Sequence, residues 1–266
     1  MIKLITLDTN DVSITENGKN NSEDIKHITE DKKESCNPLI YDRKNIQQSF
    51  RLDLTKSRSA WIKVAKLPEE LCTYAQSNFD TLFNLHPVER GKVIMSHEYI
   101  HNETESTRWQ ASYLNTPKWD QLMETSYMFS GVEISQIPKK VVLPQEFRNF
   151  SDYMNQIGKY NQVVANWYKD GNDFIAYHSD YSYGMPKDTD VAILSLHNHP
   201  DDFRVFSIKA KQNETFDDAL FERIDIKVRH GCVLFMCGDT QYKFRHGLPK
   251  MDTQSRSLSL TFRYYD

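Results

Sequence analysis

The 266-residue sequence is short of cysteine, with 4, and of glycine and proline, with 9 each. So few cysteines exclude a disulfide-built scaffold and set an intracellular compartment, nuclear or cytoplasmic, as the expectation. Cys232 and Cys237 are not accompanied by a second Cys or His pair at zinc-finger spacing, so two thiols on a buried strand are expected rather than a metal site. Long apolar runs are missing too, which leaves no expected membrane span. The opening Met1-Ile2-Lys3-Leu4-Ile5-Thr6-Leu7 is too brief for a signal peptide and runs straight into Asp8. There is no basic excess: 33 Lys+Arg against 37 Asp+Glu give a net charge of −4. That excludes a polybasic protein held to nucleic acid by charge alone, although a local basic groove remains open. A glycine-rich phosphate loop is absent, as is a Gly-x-Ser-x-Gly elbow, which argues against a P-loop NTPase and an ordinary α/β-hydrolase.

What is present is a composition that folds, 39% hydrophobic and 12% aromatic. Residues 1–45 are the exception. From Asn10 onward they alternate charges of both signs with Asn and Ser, and no aromatic appears before Tyr41. Such a stretch buries too little surface to offset its chain entropy, so a flexible polar leader is expected there, followed by one domain over 46–266. In the domain, Leu67-Pro68-Glu69-Glu70-Leu71 opens a helix carrying Tyr74, Phe79, Leu82 and Phe83, and a second helix is predicted from Leu143-Pro144 to Ile157, ahead of Gly158. The rest reads as strands: 161–168, 191–196, 203–208, 231–236 and 257–263. Short strands punctuated by turns, with few helices between, predict a mainly β (α+β) antiparallel sandwich or jelly roll rather than a parallel βαβ sheet.

The strongest local chemistry is Tyr177-His178-Ser179-Asp180. Residues i and i+2 of a strand share a face, so His178 and Asp180 can aim an imidazole and a carboxylate at one point. Alone the pair is common and means little. A third ligand would make a metal site, and the other histidines compete for that part. His197 and His199 flank a turn and read as solvated loop residues, His230 reads as a surface turn, and His246 lies just past the 231–236 strand. Two His and one carboxylate on a β scaffold make the facial triad of non-haem Fe(II) oxygenases, which leaves open positions for a co-substrate and dioxygen. The two carboxylates of 2-oxoglutarate would need cationic anchors, and the last strand offers Arg256 and Arg263.

In order along the chain stand Asn166-Trp167-Tyr168-Lys169-Asp170-Gly171-Asn172-Asp173, His178-Ser179-Asp180, Ser195-Leu196, Arg204-Val205-Phe206, Gly238-Asp239-Thr240-Gln241, His246-Gly247-Leu248-Pro249-Lys250 and Leu260-Thr261-Phe262-Arg263. This series resembles the AlkB family of Fe(II)/2-oxoglutarate dioxygenases. Upstream, Thr107-Arg108-Trp109-Gln110-Ala111-Ser112-Tyr113 resembles its Pro-Arg segment, and Tyr127-Met128-Phe129-Ser130-Gly131 its Tyr-x-(Tyr/Phe)-Ser-Gly segment. The resemblance implies a double-stranded β-helix with N-terminal helices and a nucleotide lid. It implies iron ligation by His178, Asp180 and His246, 2-oxoglutarate contacts from Asn166, Tyr168 and Arg263, and a substrate cleft bordered by Arg108, Phe129 and Ser130. Phe129, Trp109 or Tyr181 would stack on a flipped-out base. The implied activity is oxidative removal of N-alkyl groups from DNA or RNA bases by a monomer that uses Fe(II), 2-oxoglutarate and O2 and releases aldehyde, succinate and CO2. The alternatives are an oxygenase of the same fold acting on a protein or small molecule, and a non-catalytic binding module.

Three departures stand out. The family ends Arg-x-(Asn/Ser)-Leu-Thr-Phe-Arg, whereas Ser257 fills the first Arg position here and Arg256 comes one residue early. Strand alternation then turns Arg256 to the opposite face unless a β-bulge re-aims it. Tyr181 and Ser182 replace an acidic pair that often follows His-x-Asp, and His197 replaces the Gly that follows Ser-Leu.

Overall fold

The computed structural model describes residues 4–8, 13–16, 19–20, 28–30, 49–97, 100–114, 142–180, 185–187, 189–212 and 216–266. The lid segment around Phe129 and Ser130 lies outside them, as does Tyr181. The architecture is the expected jelly roll, two mostly antiparallel sheets face to face. Strands are numbered in chain order. The first sheet runs β4 (Ile28–Glu30), β5 (Ser49–Asp53), β6 (Ala60–Lys66), β15 (Cys232–Gly238), β12 (Val191–His197), β17 (Ser257–Arg263), β10 (Gln162–Tyr168) and β9 (Trp109–Leu114). The second runs β11 (Ile175–His178), β16 (Phe244–Leu248), β13 (Phe203–Ala210), β14 (Arg223–Arg229), β1 (Leu4–Asp8), β2 (Ser13–Glu16) and β3 (Lys19–Asn20). A separate hairpin joins β7 (Lys92–His97) to β8 (Ile100–Glu105). The segment expected as a polar leader thus contributes short strands, and β1 pairs in parallel with β14, Leu4 opposite Arg223.

Period-two alternation sorts the first sheet into two faces. Along β10, Val163, Ala165 and Trp167 enter one apolar cluster, together with Leu258, Leu260 and Phe262 of β17 and Ala192, Leu194 and Leu196 of β12. The helices α1 (Glu69–Ser77), α2 (Phe79–Phe83) and α3 (Gln145–Ile157) cover that face with Phe79, Leu82, Phe147, Phe150 and Met154. The opposite face meets the second sheet, where Ile62, Val64 and Leu234 pack against Phe206, Ile208, Ile224 and Ile226.

The single helix expected from Leu67 is two. Asn78 ends α1, its Nδ2 donating to the Tyr74 carbonyl at 2.8 Å, and α2 starts at the next residue. A side chain that can bond the preceding turn competes with helix continuation. Strands β5, β6, β14 and β16 were not anticipated. Of the cysteines, Cys72 and Cys232 are buried thiols, whereas Cys237 is disulfide-bonded, against the expectation of two thiols on that strand.

Two histidines expected at the surface are buried. His197 is 0% exposed, its Nε2 3.0 Å from Ser195 Oγ and 3.1 Å from the Val228 carbonyl, while its backbone N–H donates to His230 Nδ1. Burial first, then the neighbouring His230, holds the His197 pKa down at about 3. An unfolded histidine takes its proton near pH 6.5, so below that pH the unfolded state binds more protons than the native one. This contribution to stability is complete above pH 6.5 and fades as pH falls toward 3, by up to about 1.4 kcal/mol per pH unit. Urea unfolding at pH 7, 6 and 5 should show that loss, and His197→Gln should flatten it. An unchanged slope in the variant would contradict this account.

Candidate active site

The cavity between the two sheets is built from alternating positions of its walls. On β10 the residues facing away from the helices include Val164, Asn166 and Tyr168, and on β17 they are Ser257, Ser259, Thr261 and Arg263. The opposite wall supplies His178, His246, Phe206 and Arg204. Arg108, just ahead of β9, closes one side. The space, counted to its open mouth, is about 720 Å³, a volume typical of small-molecule sites.

Strand pairing joins the two histidines. His178 at the end of β11 lies directly opposite His246 on β16, and their ring centroids are 4.3 Å apart. Asp180 follows two residues on, its Oδ1 3.7 Å from His178 Nε2 and its Oδ2 3.9 Å from His246 Nε2. One ligand atom from each of the three lies within 4.8 Å of the others. Of the histidines that competed for the third place, the structure therefore brings His246. It sits on a strand of its own in the second sheet, reached through the short helix α4 (Thr240–Lys243).

Gly247 lets the two strands meet this closely. A Cβ there would stand 2.8 Å from the Ile175 carbonyl oxygen and 3.2 Å from the Tyr177 backbone nitrogen. The β11–β16 register shifts between Ile175 and His178 at the same place. Gly247→Ala should push β11 away and separate the two imidazoles. The expected result is at least a tenfold weaker Mn(II) affinity, by analogy with the 10–100-fold cost of disturbing ligand orientation, and titration calorimetry reads it directly.

Asp180 is held at both oxygens. Arg263 Nη2 donates to Oδ1 at 2.5 Å, and Gln241 Nε2 donates to Oδ2 at 3.1 Å. Gln241 also accepts from the Asp180 backbone N–H at 2.9 Å. Gln241 was not singled out in the sequence, although it stands inside a quoted motif. Burial by itself would raise the Asp180 pKa, but Arg263, then His246 and His178, outweigh it and hold the carboxyl well below the usual range. His246 moves to about 3, chiefly through burial and then through His178, so its imidazole is neutral. Ionised carboxylate and neutral imidazoles are the forms that bind a metal. Two nitrogens and one oxygen on one side of an open space match the donor set of a non-haem Fe(II) site.

The remaining predicted residues divide. Asn166 Oδ1 accepts from Arg108 Nε at 2.7 Å, and Tyr168 Oη lies 3.4 Å from Ser259 Oγ, all on the cavity wall. Arg263 closes the metal end. Arg256 is not brought in: no bulge interrupts the β17 pairing after it, and its guanidinium pairs with Asp80 at 2.7 Å over the Phe79 and Phe83 rings. Trp109 also faces away, stacked on His86 with centroids 4.2 Å apart. Arg108, expected at the border of the substrate cleft, and Arg204 are both buried in the cavity wall, at 8% and 1% exposure.

A sequence profile described as the 2OG-Fe(II) oxygenase superfamily matches residues 74–263. Among curated proteins, the "Alpha-ketoglutarate-dependent dioxygenase alkB homolog 3" of Rattus norvegicus is 32% identical over 107 residues, which is 39% of this chain and 35% of that protein. The Homo sapiens protein of the same name is 30% identical over 107 residues, 39% of this chain and 36% of that protein. The match thus spans about a third of the length of these relatives. A solved structure titled "Oxidoreductase, 2OG-Fe(II) oxygenase family, from Burkholderia pseudomallei" aligns over 75% of this chain and 84% of its own, at 14% identity and a TM-score of 0.40.

Proposed function

This chain belongs to the 2OG-Fe(II) oxygenase superfamily, and on that premise we propose that it is an Fe(II)- and 2-oxoglutarate-dependent dioxygenase that removes N-alkyl groups from bases of DNA or RNA. The carrying observation is His178, Asp180 and His246 gathered within 4.8 Å of one another, with both imidazoles on the wall of a cavity that also holds the guanidinium groups of Arg108, Arg204 and Arg263. Asp180 is spoken for by Arg263, so the cavity carries excess positive charge. That charge suits a small dianion bound beside a metal. When bound, iron, 2-oxoglutarate and O2 supply the oxidation of an N-alkyl C–H to a hydroxyl, after which the hemiaminal releases aldehyde and bare amine.

The chain's own contribution is placement. His178, Asp180 and His246 would hold the metal on one side only. Arg263 and Gln241 fix the Asp180 oxygens, and Arg263 keeps the carboxyl ionised. Asn166 and Tyr168 present polar atoms from the facing strand to the co-substrate, and the apolar walls around Val164, Ile193, Phe206 and Leu234 exclude water. The nucleic-acid reading draws on the AlkB-like motif series and on the alkB homolog relatives. No helix among the described residues is long and apolar enough to cross a membrane.

The test is succinate formation from 2-oxoglutarate with Fe(II), with and without methylated oligonucleotides. Turnover that requires the methylated strand, with formaldehyde released in step, is expected. Turnover indifferent to the oligonucleotide would move the substrate to a protein or small molecule, and no turnover with no iron bound would leave only a binding module.

A further inference from the structure

On that reading, we infer that Arg204, on the sheet facing the terminal strand, anchors the distal carboxylate of 2-oxoglutarate in the place that Ser257 leaves without a cation. Arg204 is 1% exposed on β13 and its guanidinium lies 5.1 Å from the Tyr168 ring. Its hydrogen bonds all go to backbone carbonyls: Nη1 to Asp170 at 3.1 Å, and Nη2 to Asp173 at 2.6 Å and Pro249 at 3.3 Å. Its Nε is buried without a partner. Two acids act on it through space, Asp173 and Asp170, but neither carboxylate is hydrogen-bonded to it: Asp173 takes Arg90 Nη1 at 2.7 Å and Nη2 at 3.0 Å and the Lys169 N–H at 2.7 Å, and Asp170 Oδ1 takes the Asn172 N–H at 2.7 Å. Neutral carbonyls do not cancel a buried cation, and a buried charge without a directly paired carboxylate is costly. This guanidinium is therefore arranged to receive an anion.

The space beside it fits. Ser257 lies opposite Tyr168 in the β17–β10 register, and its Oγ is buried without a hydrogen-bond partner. Arg204, Tyr168 and Ser257 line the same cavity as Arg263, His178 and His246. A short hydroxyl at 257 opens the room that a long side chain would fill, and the charge arrives from across the cavity instead of along the strand.

The experiment is calorimetric binding of 2-oxoglutarate and of 2-oxobutyrate, which lacks the distal carboxylate, to the full chain loaded with Mn(II), with thermal unfolding of each variant as the check on folding. Wild type should prefer 2-oxoglutarate. Arg204→Met should weaken 2-oxoglutarate about a hundredfold, in line with truncating one side of a buried charge pair, and leave 2-oxobutyrate unchanged. Should Arg204→Met not fold, Arg204→Lys, which keeps the charge and loses the fork, should weaken 2-oxoglutarate about tenfold. Adding Ser257→Arg to either variant should restore most of the preference, which a merely structural role for Arg204 would not produce. Wild-type affinity for 2-oxoglutarate in the Arg204 variants, or no preference between the two acids in the wild type, overturns the inference. Failure of the wild type to bind either acid overturns the proposed function itself.

Discussion

Replacing Asp180 by Ala is expected to abolish both metal binding and succinate formation. The carboxylate is the one anionic ligand of the three. Its removal takes away the charge that a divalent cation needs and leaves two neutral imidazoles. The same change takes a buried ion-pair partner from Arg263: the guanidinium is 6% exposed at the side chain and donates to Asp180 Oδ1. Removing one side of a buried pair costs about 3–5 kcal/mol, so a fall in melting temperature should accompany the loss of activity. Asp180→Asn separates the two effects. It keeps the shape and an oxygen acceptor, so it should unfold closer to wild type and still fail to turn over. Mn(II) titration followed by electron paramagnetic resonance, with succinate measured in parallel, checks both variants. Unimpaired Mn(II) binding in Asp180→Ala would remove the basis of the site.

Trp167→Ala should be the most damaging change to the fold. Trp167 is 0% exposed, its indole Nε1 donates to the Leu82 carbonyl at 3.0 Å, and its ring lies 6.2 Å from that of Phe147. It therefore ties β10 to both α2 and α3. Truncation creates a cavity and orphans a buried carbonyl, for about 3–5 kcal/mol. Urea unfolding should show it as a lower midpoint. Trp167→Phe, which keeps most of the volume and loses only the N–H, should cost less. Because Asn166 and Tyr168 flank this residue on the cavity side, 2-oxoglutarate affinity should fall along with stability in Trp167→Ala.

Of the strands that build the site, β10, β12 and β15 were legible as mostly apolar runs and β17 as a Ser/Leu alternation. β10, β12, β15 and β17 are buried on both faces, between helices and the opposite sheet, so nearly every position is apolar or small. β14 was missed despite clean alternation: Ile224, Ile226 and Val228 point in while Arg223, Asp225, Lys227 and Arg229 are half-buried. Its four charges are what a strand with one wet face carries. His246 was chosen through the motif series, since chain order alone does not say which distant strand lies opposite His178. The turning away of Arg256 was readable from alternation. The placing of Arg204 was not, because sequence gives the faces of one strand but not which residues of another sheet stand across from them. His197 and His230 looked like loop residues because they are polar and flank turns, yet each finds partners that make burial tolerable.

The strict alternation along β17 carries one more implication. Ser257, Ser259, Thr261 and Arg263 are odd-numbered and share the cavity, while Leu258, Leu260 and Phe262 are even-numbered and share the core beneath the helices. Parity thus acts as a lock: a one-residue insertion or deletion would exchange the two sets wholesale, burying a guanidinium under α3 and greasing the ligand chamber. Gradual remodelling of this enzyme is confined to swaps that respect odd and even. A cationic contact can be traded across the chamber between opposing walls, but it cannot slide by a single step along the strand that frames it.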